Sequence, residues 1–254
     1  MKKTFSISVF SICLIALSVS AENIPNKWEY KKYSGKIDNK YKIDMTIISA
    51  NSPDVVTGYY SYNGSRNTLK LTGYKENEII KLNEYDSNQK MTGSFTGQFV
   101  GDSFKGDWQK PQATKKSTFY VTRSYNNNTL VKDLKTKNSL IGNNNCSLQW
   151  ISWDKFGTLK VEEKDKKLIV TGSQKLNGDT LEIDGYFTMI DTNRLDFNGK
   201  IVTQVSHINS GSPCFREGDM TFMKYENRNH WRLQEMNSPC SDVTDYVDIS
   251  VRKK

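Results

Sequence analysis

A stripe of polar side chains near the C-terminus has the residue types and spacing of a binding surface. His230, Arg232 and Gln234 alternate with Trp231 and Leu233, so on a β-strand the polar residues share one face and the apolar residues share the other. These three residues are the leading candidates for a binding patch. The alternative is an ordinary solvated strand face with cross-strand ion pairs worth at most about 1 kcal/mol each.

Two cysteines bracket this stripe within a repeated tripeptide. Ser-Pro-Cys occurs at 212–214 and again at 238–240, and the segment between them is expected to form two strands whose ends meet. We therefore predict a disulfide between Cys214 and Cys240, which on a chain-entropy argument stabilises the fold by roughly 3 to 4 kcal/mol. The bridge would also draw Arg216 towards the polar stripe and add it to the binding surface.

Aromatic side chains in the first half form a second candidate site. Tyr60 and Tyr62 share one face of a predicted strand, and Trp108 follows later in the same module. Such residues either fill the interior of a β-barrel or line its mouth, where they stack on sugars or apolar ligands. Core packing is the commoner outcome, and all three are kept as candidate binding residues.

The sequence lacks the signatures of the common catalytic and cofactor sites. It contains two histidines, His207 and His230, and no closely spaced cysteine pair, whereas a zinc site needs three or four ligands. The Gly-x-Ser-x-Gly, His-Glu-x-x-His and phosphate-loop motifs are also absent. We therefore predict no catalytic residue, no metal site and no cofactor.

Catalysis is the alternative, because folding could bring together groups that are distant in the sequence. Glu84, Glu182 and Asp184 could supply paired carboxylates for glycoside hydrolysis. His207 continues the alternation of the preceding strand, which predicts a core position, and a site role in the following loop is the alternative. Cys146 is expected to be a buried thiol or an inter-chain cross-link, because no base that would activate it is evident.

Residues 1–21 have the features of a cleavable secretory signal. Lys2 and Lys3 precede an apolar stretch from Phe5 to Leu17, and small residues precede the polar Glu22. Serines interrupt the apolar stretch, which is too short to span a bilayer. We predict that cleavage produces a periplasmic or secreted protein without a transmembrane segment.

The elements expected to position the candidate residues are β-strands. From residue 28 to 123, short alternating runs separated by turn residues predict about eight antiparallel strands, and Asn63–Gly64 indicates a tight turn. Gly58, Gly97 and Gly106 lie within these runs, and glycines inside strands are typical of bulges or of the sharp coiling of a closed barrel. The first half is therefore predicted to be a small barrel or a strongly curved meander.

An Asn-rich segment at 124–145 separates this module from a second one. Its composition predicts a linker with at most a short helix near Leu130 and Leu134. Alternating runs and turn signals then resume and predict a C-terminal antiparallel β module at 146–254. The fold class is therefore all-β, with two antiparallel modules and an N-terminal module at 22–123.

A series of strand and turn motifs runs through residues 28–123. The series is Tyr33-x-Gly35, Gly58-Tyr59-Tyr60-x-Tyr62, Leu69-x-Leu71-x-Gly73, Ile80-x-Leu82-x-Glu84, and Gly93 to Trp108. This order resembles exported bacterial β-rich proteins of unassigned function. The resemblance implies the fold and export of the chain and implies no reaction.

The charge of the chain narrows the class of partner. It has 36 basic and 28 acidic residues and a formal net charge of +8, which favours anionic surfaces, although the interspersed signs argue against nucleic acid. We expect a non-catalytic exported binding protein for an anionic envelope component, a small ligand or an acidic protein, with an inhibitor or immunity protein as one form. A cell-wall or glycan hydrolase using carboxylates or a histidine is the alternative.

Overall fold

The fold is all-β, as the alternation of the sequence predicts. The computed structural model describes residues 27–50, 54–63, 65, 67–123, 127–225 and 228–252. The predicted signal at 1–21 and Gly64 of the predicted turn lie outside the described residues. The described part of the chain contains no helix with the length and apolar composition that a bilayer span requires.

The first eight strands form a closed antiparallel barrel. Each strand pairs with the next, and β1 pairs with β8 to close the ring. The barrel predicted for the first half is therefore confirmed. The strands are β1 Lys27–Ile37, β2 Tyr41–Ala50, β3 Val55–Tyr62, β4 Leu69–Glu76, β5 Ile79–Tyr85, β6 Met91–Val100, β7 Ser103–Gln109 and β8 Lys116–Arg123.

Eight further strands in the described residues after 127 form a second ring of antiparallel pairings. Each strand pairs with the next, and β10 pairs with β17. We call this ring the second barrel. Its strands are β10 Gly142–Leu148, β11 Gly157–Lys164, β12 Lys167–Leu176, β13 Asp179–Ile190, β14 Arg194–Gln204, β15 Cys214–Met223, β16 His230–Leu233 and β17 Val247–Ser250.

The Asn-rich segment predicted as a linker contains regular structure. It includes the short strand β9 (Leu130–Val131), the helix α1 (Leu134–Leu140) and the first residues of β10. The second barrel therefore begins at Gly142, before the predicted boundary at 146. Asn144 is buried in β10, and its side-chain amide donates to the carbonyl of Leu140 at 2.6 Å. This bond satisfies a polar group at the end of α1, which explains why an asparagine occupies an inward position.

Strand β1 belongs to both barrels. Its residues 27–30 pair in parallel with β15, whereas residues 33–37 pair with β8. Trp28 and Tyr30 pack in the core of the second barrel, and Tyr33 and Ile37 pack in the core of the first. Successive side chains of a strand point to opposite faces, so the even-numbered Trp28 and Tyr30 face one core and the odd-numbered Tyr33 and Ile37 face the other.

Charged side chains pair across the junction of the two barrels. The carboxylate of Asp219 accepts a hydrogen bond from the backbone N–H of Lys32 at 3.2 Å and lies 3.3 Å from the guanidinium of Arg123. The ammonium of Lys32 lies 3.5 Å from Asp196. Burial raises the pKa of Asp196, but the charges of Lys32 and Arg194 outweigh it, so this pKa lies below its ordinary value. Asp196 therefore stays charged and attracts the first barrel through Lys32.

Cys214 and Cys240 form the predicted disulfide, with a Cα–Cα distance of 6.0 Å. The bridge joins the start of β15 to the segment between β16 and β17. Disulfides are typical of proteins that fold outside the reducing cytosol. Cys146 is buried and unbridged, and burial raises the pKa of its thiol to about 12.

We predict that no thiol of the folded, processed chain reacts with iodoacetamide at pH 8, because Cys146 is buried and protonated. Denaturation without a reductant should expose one thiol per chain, and reduction should expose three. Intact mass spectrometry after alkylation counts these groups. Three labelled thiols without a reductant would contradict the disulfide, and one additional thiol would show that the segment carrying Cys13 is retained.

Candidate functional site

The polar stripe predicted near the C-terminus lies on the outer face of β16. Trp231 and Leu233 are buried in the second barrel, whereas His230, Arg232 and Gln234 are partly exposed. The alternation in the sequence is thus present in the strand. It directs the three polar side chains away from the core, where they can meet another molecule.

Arg232 is firmly held at this surface. Its Nε and Nη2 atoms donate to the two carboxylate oxygens of Asp248 on β17, each at 2.7 Å. Its guanidinium also lies 4.1 Å from the ring centroid of Tyr246. A bidentate ion pair and a cation–π contact together restrict the rotamers of a long side chain. The guanidinium is therefore positioned before any partner binds.

Exposed aromatic side chains extend the surface around Arg232. Trp153 is 68% exposed, and its ring centroid lies 6.5 Å from that of Tyr246. Tyr225 is 53% exposed, and its hydroxyl donates to the Gln234 side-chain oxygen at 3.2 Å. The guanidinium of Arg228 lies 5.4 Å from the Tyr225 ring centroid. We call this set the β16 face; its members are Trp153, Tyr225, Arg228, His230, Arg232, Gln234, Tyr246 and Asp248.

His230 is the residue of the β16 face whose side chain can change its charge near neutral pH. Its Nε2 atom lies 3.6 Å from Asp248, which is too long for a hydrogen bond. Burial lowers the pKa of His230, Asp248 opposes this shift, and the positive charges of Arg232 and Arg228 lower the pKa further. The net shift favours the neutral imidazole, so the positive charge of the face at neutral pH comes from the two arginines.

Arg216 lies inside the second barrel, which corrects the prediction that it joins the polar stripe. Its side chain is 0% exposed, and its Nη2 atom donates to Asp245 at 2.6 Å. Trp150 donates to the other carboxylate oxygen of Asp245 at 3.0 Å. A buried guanidinium needs such a partner. Asp245 comes from a distant loop, so the alternation around Arg216 does not reveal the pair.

The aromatic candidates of the first barrel surround a buried carboxylate. Glu84 is 3% exposed and accepts hydrogen bonds from Tyr60 at 2.8 Å, Trp108 at 2.8 Å and Thr92 at 2.6 Å. Tyr62 is exposed, and its ring packs edge-on against Tyr60 at a centroid distance of 5.6 Å. Tyr60 and Trp108 therefore hold a core carboxylate, and Tyr62 and the partly buried Trp108 are the members of the set that solvent reaches.

The residues considered for catalysis do not converge. Glu84 is enclosed in the first barrel, whereas Glu182 and Asp184 are exposed on β13 of the second. His207 is exposed in a turn, and its ring packs edge-on against Trp150 at 6.1 Å. The predicted core position of His207 is wrong because β14 ends before this residue. Among the described residues, no three His, Cys, Asp or Glu side chains form a group that could hold a metal ion.

The second barrel carries the similarity to known proteins. The model of the PM1083 family matches residues 128–251. The "Uncharacterized protein PM1083" of Pasteurella multocida (strain Pm70) is 44% identical over 115 residues, which are 45% of this chain and 75% of that protein. The chain belongs to the PM1083 family. No solved structure matches the chain.

The PM1083 match covers the second barrel, whereas the candidate residues lie in both barrels. Residues 128–251 include β9 to β17 and the whole β16 face. The first barrel, with Tyr60, Tyr62 and Trp108, lies outside the match, as do residues 28–123 with their resemblance to exported proteins. Of the candidate surfaces, the β16 face is thus the one within the PM1083 region.

We predict that Glu84→Ala lowers the free energy of unfolding by about 3 kcal/mol or more, because the buried Tyr60 hydroxyl and the partly buried Trp108 N–H lose their carboxylate acceptor. Urea denaturation followed by circular dichroism measures the change. Glu182→Ala, at an exposed glutamate, serves as the matched control and should stay within about 0.5 kcal/mol of wild type. Equal losses in the two variants would contradict the structural role of Glu84.

The lowered pKa of His230 predicts a loss of stability in acid. The unfolded chain, in which histidine has a pKa of about 6.5, binds this proton more readily than the folded chain. The stabilising contribution is therefore complete above about pH 6.5 and is lost as the pH falls towards the folded pKa. His230→Gln should lose less stability than wild type between about pH 7.5 and pH 5, as measured by thermal unfolding. If the stability of wild type and of His230→Gln fell equally with pH, the pKa of His230 in the folded chain would not be lowered.

Proposed function

We propose that this PM1083-family protein is a non-catalytic binding protein of the cell envelope and that its β16 face binds an acidic segment of a partner protein. The observation that carries the proposal is the fixed guanidinium of Arg232, paired with Asp248 and stacked on Tyr246 beside the exposed Trp153. Tryptophan, tyrosine and arginine are enriched at the energetic centres of protein interfaces. The β16 face concentrates these three residue types at one place.

The loops that carry the aromatic residues are tied to each other. The side chain of Gln149 donates to the carbonyl of Thr244 at 2.5 Å and accepts from the backbone N–H of Tyr246 at 2.7 Å. These bonds connect the segment before Trp153 with the segment that carries Tyr246. Binding to a surface that is already ordered costs less conformational entropy. This rigidity supports recognition by the β16 face.

The charge of the face favours an acidic partner. Arg228 and Arg232 contribute two positive charges, and Asp248 is the one carboxylate among the defined members of the face. The chain has a net charge of +8, of which Lys2 and Lys3 of the predicted signal supply two, so the processed protein keeps +6. This charge adds a long-range attraction for acidic proteins. An inhibitor or immunity protein that blocks an acidic exported enzyme is one form that this function would take.

The proposal includes export of the protein from the cytoplasm. The predicted signal at 1–21 would direct the chain across the cytoplasmic membrane, and the Cys214–Cys240 bridge suits an oxidising compartment. A periplasmic or secreted protein would meet envelope components and exported proteins. The alternative function, a cell-wall or glycan hydrolase, would use exposed carboxylates such as Asp184, and cleavage of an oligosaccharide would reveal it.

Site-specific photo-crosslinking in the source cells tests the proposed interface. The photo-reactive amino acid p-benzoylphenylalanine would replace Trp153 on the β16 face or, as a control, Tyr120 on the first barrel, which is 52% exposed. We expect a discrete protein adduct from position 153 and none of that mass from position 120. Gel electrophoresis after irradiation detects the adduct, and mass spectrometry identifies the acidic partner.

A second substitution tests whether the adduct at position 153 depends on binding through Arg232 or only on a protein that lies near Trp153. Arg232→Ala in the position-153 protein should reduce the adduct about tenfold or more, as expected for a central interface arginine. Arg232→Lys should also reduce it, because lysine lacks the planar group that pairs with Asp248 and stacks on Tyr246. Lys200→Ala, at an exposed charge elsewhere on the barrel, should have no effect. An adduct that persists with Arg232→Ala would refute this interface.

A further inference from the structure

A row of three glycines crosses neighbouring strands of the second barrel. Gly185 of β13 lies opposite Gly199 of β14, which lies opposite Gly218 of β15. A Cβ atom at these positions would come within 2.4, 2.2 and 2.2 Å of a backbone carbonyl oxygen, respectively. On the core side, the ring of Phe197 lies within 2.7 Å of the Cβ positions of Gly185 and Gly199. Only glycine therefore permits this close approach of the strands.

An open groove with a volume of about 410 Å³ follows this row on the outside of the barrel. The three glycines form its floor, and we call it the glycine groove. Its remaining lining residues are Asp184, Tyr186, Asn198, Lys200 and Glu217.

One wall of the glycine groove alternates in charge. Asp184 lies opposite Lys200, and Lys200 lies opposite Glu217 on the next strand. The carboxylate of Glu217 pairs with Lys27 of β1 at 2.6 Å, which extends the alternation. Because neighbouring strands lie about 4.8 Å apart, hydrogen-bond acceptors and donors follow one another at this spacing. The opposite signs leave no net attraction for a polyanion.

The other wall consists of the polar side chains of Tyr186 and Asn198, and the ammonium of Lys167 lies 4.5 Å from the Tyr186 ring centroid. Tyr186 lies opposite Asn198, whose amide donates to Asp219 at 2.7 Å and is thereby fixed in orientation. Burial and the nearby Asp219 raise the pKa of Tyr186, and Arg123 opposes them. The Tyr186 hydroxyl therefore stays protonated and can both donate and accept a hydrogen bond.

We propose that the glycine groove binds a neutral oligosaccharide. Each sugar hydroxyl is both a donor and an acceptor, which matches walls that alternate carboxylates with ammonium, amide and phenol groups. The three glycines have the inward parity of their strands, so the floor between the two rows of outward side chains is backbone. A flat pyranose ring can approach this floor. The site is separate from the β16 face and adds a second binding activity to the one proposed above.

The proposal is tested by titrating the ¹⁵N-labelled protein, without the predicted signal at residues 1–21, with sugars. The probes are maltotetraose, cellotetraose and tetra-N-acetylchitotetraose, all neutral, with inorganic phosphate as the anionic control. We expect at least one tetrasaccharide to shift the backbone amide resonances of Gly185, Gly199 and Gly218 in heteronuclear correlation spectra, and phosphate to leave them unchanged. Absence of shifts with all three sugars would overturn the proposal, as would the same shifts with phosphate.

A pair of matched variants tests which side chains recognise the sugar. Asp184 and Glu182 are both exposed acids on the outer face of β13, but Asp184 alone of the two lines the groove. Asp184→Asn should weaken binding of the active tetrasaccharide about tenfold, the value of one charge-assisted hydrogen bond, whereas Glu182→Gln should change it less than about twofold. Equal effects in the two variants would overturn the proposal.

The same samples separate this inference from the proposed non-catalytic function. Anomeric proton signals report hydrolysis during the titration. Binding without cleavage supports the glycine groove as a recognition site. Cleavage that Asp184→Asn abolishes would confirm the groove as a saccharide site and overturn the non-catalytic function, while loss of the crosslink at position 153 would affect the β16 face alone.

Discussion

The two faces of β1 are buried in different hydrophobic cores, and the arrangement of the rest of the molecule depends on this constraint. Trp28 and Tyr30 pack into the second barrel, whereas Tyr33 and Ile37 pack into the first. A slip of one residue in the register would turn Trp28 and Tyr30 out of the second core and Tyr33 and Ile37 out of the first. The hydrogen bond from the Lys32 backbone to Asp219 lies at the change from one core to the other and opposes such a slip.

The shared strand also links the first barrel to the candidate sites of the second. Parallel pairing with β15 places Tyr30 opposite Gly218 and brings Lys27 to Glu217. The backbone of Tyr30 approaches Gly218 so closely that a side chain there would clash. Although the first barrel lies outside the PM1083 match, its strand β1 thus pairs with β15, the strand at one end of the glycine groove.

Two adjacent residues of the segment after β16 make contacts on opposite sides of the barrel wall, one inside and one outside. Asp245 points inward and pairs with the buried Arg216, whereas Tyr246 supports the partly exposed side chain of Arg232. The disulfide from Cys240 to Cys214 fixes the same segment against β15. The buried ion pair and the disulfide together therefore hold the aromatic support of the β16 face in position.

The sequence by itself determined the all-β class, most strands of both halves, the two faces of β16 and the disulfide, because each follows from a period-two pattern or a local repeat. The pattern failed at Arg216, whose buried partner Asp245 is distant in the sequence. Only the tertiary structure decided that Gly185, Gly199 and Gly218 form one groove, because the registers of β13, β14 and β15 align them. Alternation is a property of a single strand, whereas register and barrel closure depend on pairing between distant strands, which no local pattern specifies.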